Sequence, residues 1–321
     1  MREPNYSEAF SHSWQMVKEH KILWVFGLLS VCLGQWGLAN FLGGLNMVGL
    51  NQYGASWHNF SSLFLLLQIA GEGVIPFLLV LWLFVVGAAL FILMIFVAVV
   101  ARGALIAAVG HWFAKDGKVS LALVWRHGVK NFWKLLVLVI LTRLFEVALL
   151  ISALGVFALC GNSTAGFISQ AFFGALALAV GIALEAVMIF ASGYVVIDGE
   201  SVSNSIARAW RLFTRHILIT LELGVLLTVA SLLVAVVVIL AGSLVLIPAM
   251  IVWLFAILTG LNGLFSFGFI LAWVLFVMVI GLAAAIFNAF NTSVWMYLFV
   301  KMHRESYVGW VLNTVKKLFS K

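Results

Sequence analysis

A chain of 321 residues that is 65% hydrophobic and only 9% charged departs from soluble domains, where about half and about a quarter are usual. No water-soluble core can bury so much apolar surface, which excludes a soluble globular fold. The formal charge of +7 and pI near 9.6 would suit nucleic acid, but the positions of the basic residues exclude that partner: they mark the inner side of a membrane.

In chain order, the first predicted element is a short amphipathic helix around Trp14, with Phe10, Trp14 and Val17 at i, i+4 and i+7. Lys18 and Lys21 then precede an apolar run over 22–33. That run continues through Trp36 and Phe41 without a small-residue cleavage site, which predicts a retained span rather than a signal peptide. An outer connection over 42–73 holds His58 and a stretch, 61–70, too short to cross. The second span begins at Val74 and, taken to Phe113 as one helix, would extend about 60 Å, so it either projects beyond the bilayer or breaks near a polar position.

A second amphipathic segment around Trp125 precedes the third span, 135–151, and the fourth span covers 168–197. A third, around Trp210, precedes the fifth span, 217–241. The connection after it contains an apolar stretch over 244–260, about 26 Å long as a helix, expected to be re-entrant or interfacial. The sixth span, 264–287, runs on toward a basic tail over 301–321.

The expected fold is therefore all-α: a single transmembrane domain of about six helices in three hairpin units, each preceded by an amphipathic interfacial helix. The units are 5–114, 116–197 and 199–300. The first and third segments align without a gap, pairing Ser7 with Ser203, Trp14 with Trp210 and His20 with His216; the middle one, with Leu121, Trp125, Gly128 and Phe132, needs a short gap upstream. Asp116-Gly117 and Asp198-Gly199 stand at corresponding turns ahead of the second and third copies. Seventeen of the 18 basic residues fall in four clusters, at 2–21, 102–134, 208–215 and 301–321, while the connections near 42–73, 158–166 and 242–263 hold no Lys or Arg. Such alternation places both termini in the cytoplasm of a multi-pass cell-membrane protein and makes anionic lipid headgroups the expected partners of the basic face.

Catalytic signatures are absent, and no cofactor or metal site is expected. There is no H-E-x-x-H, G-x-S-x-G, P-loop or dinucleotide fingerprint; Cys32 and Cys160 are isolated, and the histidines are scattered. Chemistry is instead concentrated in ionisable residues within apolar segments, where an uncompensated charge costs at least about 2.5–3.5 kcal/mol. These are Arg143, Glu146, Glu185 and Glu222. At helical rise, Arg143 lies about 15 Å, Glu146 about 20 Å, Glu185 about 18 Å and Glu222 about 9 Å from the basic end. The first three are expected to meet as a buried polar cluster. Arg102, Ser192 and Asn291 occupy comparable polar positions near the inner ends of the three returning helices, and Trp14, Trp125 and Trp210 mark the interface.

The phrase SEAFSHSWQMVKEHKILWVF over 7–26 and DGESVSNSIARAW from Asp198 resemble bacterial six-helix membrane proteins related to the membrane domain found beside some glycerophosphodiester phosphodiesterases. The resemblance implies a bacterial cytoplasmic membrane and a role near lipids or the envelope; it carries over no active-site residue. The function expected is non-enzymatic: organising, binding or moving lipid or an envelope component. The alternative is a small-solute or ion transporter using the Arg/Glu cluster.

The charge pattern makes a topological prediction. Single cysteines at Lys118 and Arg208, in a background lacking both native cysteines, should react with an impermeant reagent only from inside, and those at His58, Asn162 and Gly260 only from outside. Inside-only labelling of Gly260→Cys would contradict six spans.

Overall fold

The computed structural model describes residues 6–31, 73–114, 120–159 and 164–304, and among these every regular element is an α-helix. The helices are α1 (Tyr6–Glu19), α2 (Ile22–Val31), α3 (Val74–Ala114), α4 (Leu121–Lys130), α5 (Phe132–Leu159), α6 (Thr164–Ile197), α7 (Val202–Arg215), α8 (Ile217–Val245), α9 (Ile247–Thr259) and α10 (Asn262–Arg304). Among the described residues, five stretches are long and apolar enough to cross a membrane: Val74–Trp112, Phe132–Ala153, Ile168–Ile197, Ile217–Thr259 and Gly263–Met302. The protein is thus a polytopic helical membrane protein, the architecture in which each chain segment satisfies its own backbone hydrogen bonds in hydrocarbon. The later part of the first apolar run, the stretch 61–70, the Asp116-Gly117 turn, Cys32, Cys160, His58 and Asn162 lie outside the described residues.

Each short amphipathic helix leads into an apolar one through a tight corner. The corner residues His20, Asn131 and His216 all lie six positions after the marker tryptophans Trp14, Trp125 and Trp210. At Asn131 the amide donates to the His127 carbonyl while the Asn131 carbonyl accepts from Leu135; at His216 the amide donates to Leu212 and the carbonyl accepts from Thr220. The backbone ladder therefore passes through the bend without a buried orphan. Gly199, in the left-handed region at φ 74°, turns the chain between α6 and α7.

The long returning helices α3, α6 and α10 make the core. Residues 98–101 and 103–109 of α3, 186–196 of α6 and 292–299 of α10 are buried on every side, and the three helices pack on one another. Around them the interfacial helices dock in cyclic order: α4 lies on α3, α7 on α6, and α1 on α10. Among the described residues, the first helix thus seats against the last. Close backbone approach makes these contacts possible. A side chain at Gly128 of α4 would overlap the Val100 carbonyl oxygen of α3, and one at Gly27 of α2 would overlap the Ala285 carbonyl oxygen of α10. Asn288 of α10 secures the second contact, donating to the Gly27 carbonyl at 2.9 Å and to Ser30 Oγ at 2.7 Å.

Away from the basic end the helices separate. Residues 74–94 of α3 are exposed around most of the helix, as are most of 225–240 in α8 and 265–282 in α10, all with aliphatic and aromatic side chains suited to lipid. The stripe Ala285, Ala289 on α10 packs against α2, but Ala175 and Ala179 of α6, spaced in the same way, are exposed.

Two expectations about helix length resolve differently. α3 and α10 run unbroken for 41 and 43 residues, straight through Arg102 and Asn291, so neither breaks at its polar position. The apolar run 217–259 does bend, at Leu246, and Pro248 sits in the first turn of α9 where no amide donor is needed. At 13 residues, or about 20 Å, α9 is shorter than the hydrocarbon core. It folds back onto the start of α10 through Gly260 at φ 67°, and Trp253 stacks on Phe265 at 6.1 Å with Gly268 leaving room for the indole.

The contact at Gly27 gives a packing test. Gly27→Ala should lower stability in detergent by about 2 kcal/mol or more, since a backbone carbonyl cannot move aside as a side chain can. Gly87→Ala, with nothing within 4 Å, should be neutral or slightly stabilising. Equal melting temperatures for the two variants would contradict the α2–α10 packing.

Candidate functional site

On α5, Arg143 and Glu146 share one face three residues apart, and Arg143 Nη1 donates to Glu146 Oε2 at 2.7 Å. The pair is not sealed: its side chains retain 35% and 29% of their surface. Gly181 of α6 lies against Leu149 of α5, so Glu185, one turn further along the antiparallel α6, comes level with Glu146. Arg102 of α3 and Glu185 of α6 lie within electrostatic range of each other and of the Arg143–Glu146 pair. Arg143 and Glu146 compensate each other's charge, the condition under which ions are tolerated in hydrocarbon.

The cluster sits where the packing changes. Leu135 and Leu138 of α5 are buried, and Arg143 and Glu146 follow them outward. Glu185 immediately precedes Ala186, where the all-round burial of α6 begins. Arg102 is the one residue of 98–109 in α3 that retains appreciable surface. Charge therefore marks the boundary between the packed half at the basic end and the open apolar half beyond it.

The other predicted residues occupy separate places. Glu222 of α8 belongs not to this cluster but to α1, where the Tyr6 hydroxyl donates to its carboxylate. Burial, reinforced by that carboxylate, pushes the Tyr6 phenol well above its ordinary range. Two residues on, Glu8 accepts from Lys301 Nζ at 3.0 Å and Tyr297 Oη at 2.9 Å on α10, and these bonds, the lysine's foremost, hold its carboxyl below the usual glutamate value. Tyr6 and Glu8 together latch α1 across α8 and α10. Ser192 is buried and donates to the Ile189 carbonyl at 2.6 Å within its own helix, while Asn291 is half-buried beside Thr292 in the core stretch of α10.

Trp14 and Trp210 are half-exposed, Trp14 with its edge on Phe290, whereas Trp125 is partly covered by stacking on Phe26 at 6.0 Å. Lys18, Lys21, Arg126, Lys130, Arg208, Arg211 and Arg215 are exposed around the same helices. Lys134 ties α5 to the α6–α7 turn by donating to the Gly199 and Glu200 carbonyls at 2.9 Å each. No group of three or more His, Cys, Asp or Glu side chains suited to a metal occurs among the described residues.

Sequence reasoning missed Arg102 as a cluster member, because it stands first in a run of basic residues that reads as a topology signal. The available clue was the unbroken apolar sequence on both sides of it. The α1 latch joins residues more than 200 positions apart and left no local pattern. No family model, no curated protein and no solved structure matches the chain.

The ion pair yields a stability prediction. Arg143→Met strands Glu146 and should cost about 1–3 kcal/mol, below the value for a fully buried pair because both side chains keep about a third of their surface. Arg143→Met combined with Glu146→Gln should recover most of that loss in thermal unfolding in detergent. A double variant as unstable as the single one would show that charge balance is not what holds this site.

Proposed function

We propose that the chain is a non-enzymatic multi-pass protein of a bacterial cytoplasmic membrane that binds, organises or moves lipid. Its termini and interfacial helices face the cytoplasm, where the exposed lysines and arginines meet anionic headgroups. The observation that carries this function is the charge-balanced Arg143–Glu146 pair, about a third exposed, at the level where packed helices give way to apolar, lipid-suited surface. Such a site offers polar contacts to a headgroup beside a path for acyl chains. The cyclic docking of α1, α4 and α7 supports the view that three copies of one interfacial-helix hairpin build the chain. The sequence resemblance to membrane domains that accompany phosphodiesterases acting on glycerophosphodiesters points to the same lipid setting.

A transporter of small solutes or ions is the second function that the cluster supports, since its charges come from three helices, α3, α5 and α6, and could line a polar route. Lipid retention separates the two. Protein purified in mild detergent and analysed by mass spectrometry should hold a defined lipid class at near-stoichiometric level, and proteoliposomes should show faster exchange of labelled lipid between leaflets. Protein that retains and moves no lipid but conducts current or takes up solute would overturn the lipid function.

A further inference from the structure

Resting on that lipid function, we propose that the Arg143–Glu146 pair, with Glu185 alongside, is a halfway site for the headgroup of a zwitterionic phospholipid crossing between leaflets. Three observations converge on a zwitterion. The first is balance. The pair carries one positive and one negative group, so a headgroup with one phosphate and one ammonium enters without leaving surplus charge in hydrocarbon, whereas a purely anionic headgroup adds an uncompensated negative charge. The second is chemistry. A guanidinium presents a planar fork that matches phosphate oxygens, and a carboxylate accepts the N–H donors of a primary ammonium. Opening the 2.7 Å Arg143–Glu146 pair releases one of each at the same level, with Glu185 alongside.

The third is access. Arg143 and Glu146 keep about a third of their surface, and Leu144, Phe145 and Val147 beside them are exposed, so the pair opens toward the lipid-suited flank of α5 rather than into a sealed core. At about 15–20 Å from the start of α5, the pair lies near the middle of a hydrocarbon layer about 30 Å thick. A headgroup resting in its own leaflet has no need of contacts there. One in transit does, because the midplane is where its dehydration is most costly. The apolar outer half of α3 and the exposed face of α5 would meanwhile hold its acyl chains.

The test uses the whole protein in phosphatidylcholine vesicles carrying trace acyl-labelled phosphatidylethanolamine or phosphatidylglycerol, with an impermeant quencher reporting transbilayer movement. Phosphatidylethanolamine should move at least about tenfold faster than phosphatidylglycerol, the difference expected from one charge-assisted hydrogen bond. Glu146→Gln with Glu185→Gln removes both carboxylates and should reverse the order. Equal rates for the two lipids in the native protein, or an order unchanged in the variant, would overturn the proposal while leaving the lipid function intact. Movement of neither lipid, with none retained on purification, would instead remove the lipid function itself.

Should the glutamine pair fail to fold, native mass spectrometry of the unaltered protein decides. Phosphatidylethanolamine should be retained over phosphatidylglycerol and should resist excess soluble glycerophosphoethanolamine. Equal retention of the two lipids, or displacement by the soluble headgroup at equal concentration, would overturn the site, the latter by assigning it to a solute.

Discussion

Everything in this protein depends on the all-round burial of one half of each returning helix. In a bilayer, apolar side chains gain little by leaving lipid for one another, so helices associate through close packing and polar contacts. Here that association is concentrated at the basic end. α3, α6 and α10 bury their basic-end stretches against each other, and α1, α2, α4 and α7 close around them through contacts as tight as Gly128 of α4 on Val100 and Gly27 of α2 on Ala285. With the inner halves so fixed, the outer halves need no partners and present apolar surface to lipid. The division into a packed half and an open half follows directly, and it places the Arg/Glu group at the seam.

The seam also explains why the charges are mutually compensated. Beyond it lies hydrocarbon, where an unpaired guanidinium or carboxylate would be prohibitive; within it lies a core that has no water to offer. A compensated Arg143–Glu146 pair, partly accessible, is compatible with both sides. The latch on α1 has a different role. Tyr6 on Glu222 and Glu8 on Lys301 and Tyr297 hold α1 against α8 and α10, far from it in sequence, so the ring closes only after α10 is in place.

Much of this was legible from residues alone, and what was not has physical causes. Membrane spans, the three interfacial helices and their marker tryptophans follow from hydropathy and from the 3.6-residue period, because water on one side and lipid on the other impose those patterns. Arg143 and Glu146 could be paired because a helix puts i and i+3 together. The length of α3 was visible, but not which half of it is buried: core-facing and lipid-facing positions are both apolar, so residues 74–94 and 98–109 look alike in sequence. Arg102 reads as a topology signal for the same reason. It lies 12 residues before the end of α3, ahead of further basic residues, and only the packing of α3 on α6 brings it within electrostatic range of Glu185. Glu222 was set apart from the other three by depth, but its partner Tyr6 could not be read, because it is distant in sequence and adjacent only after folding.

The most direct measurement of this account is the accessibility of α3 to oxygen, read from nitroxide labels placed singly along residues 74–109 of the protein in bilayers. Two regimes are predicted: high oxygen accessibility around most of the helix over 74–94, then low accessibility on every side from 98 to 109, broken only at 102. A single 3.6-residue oscillation running through 98–109 would mean that one face of that stretch meets lipid. That result would contradict the packed inner core on which the fold and the proposed site depend.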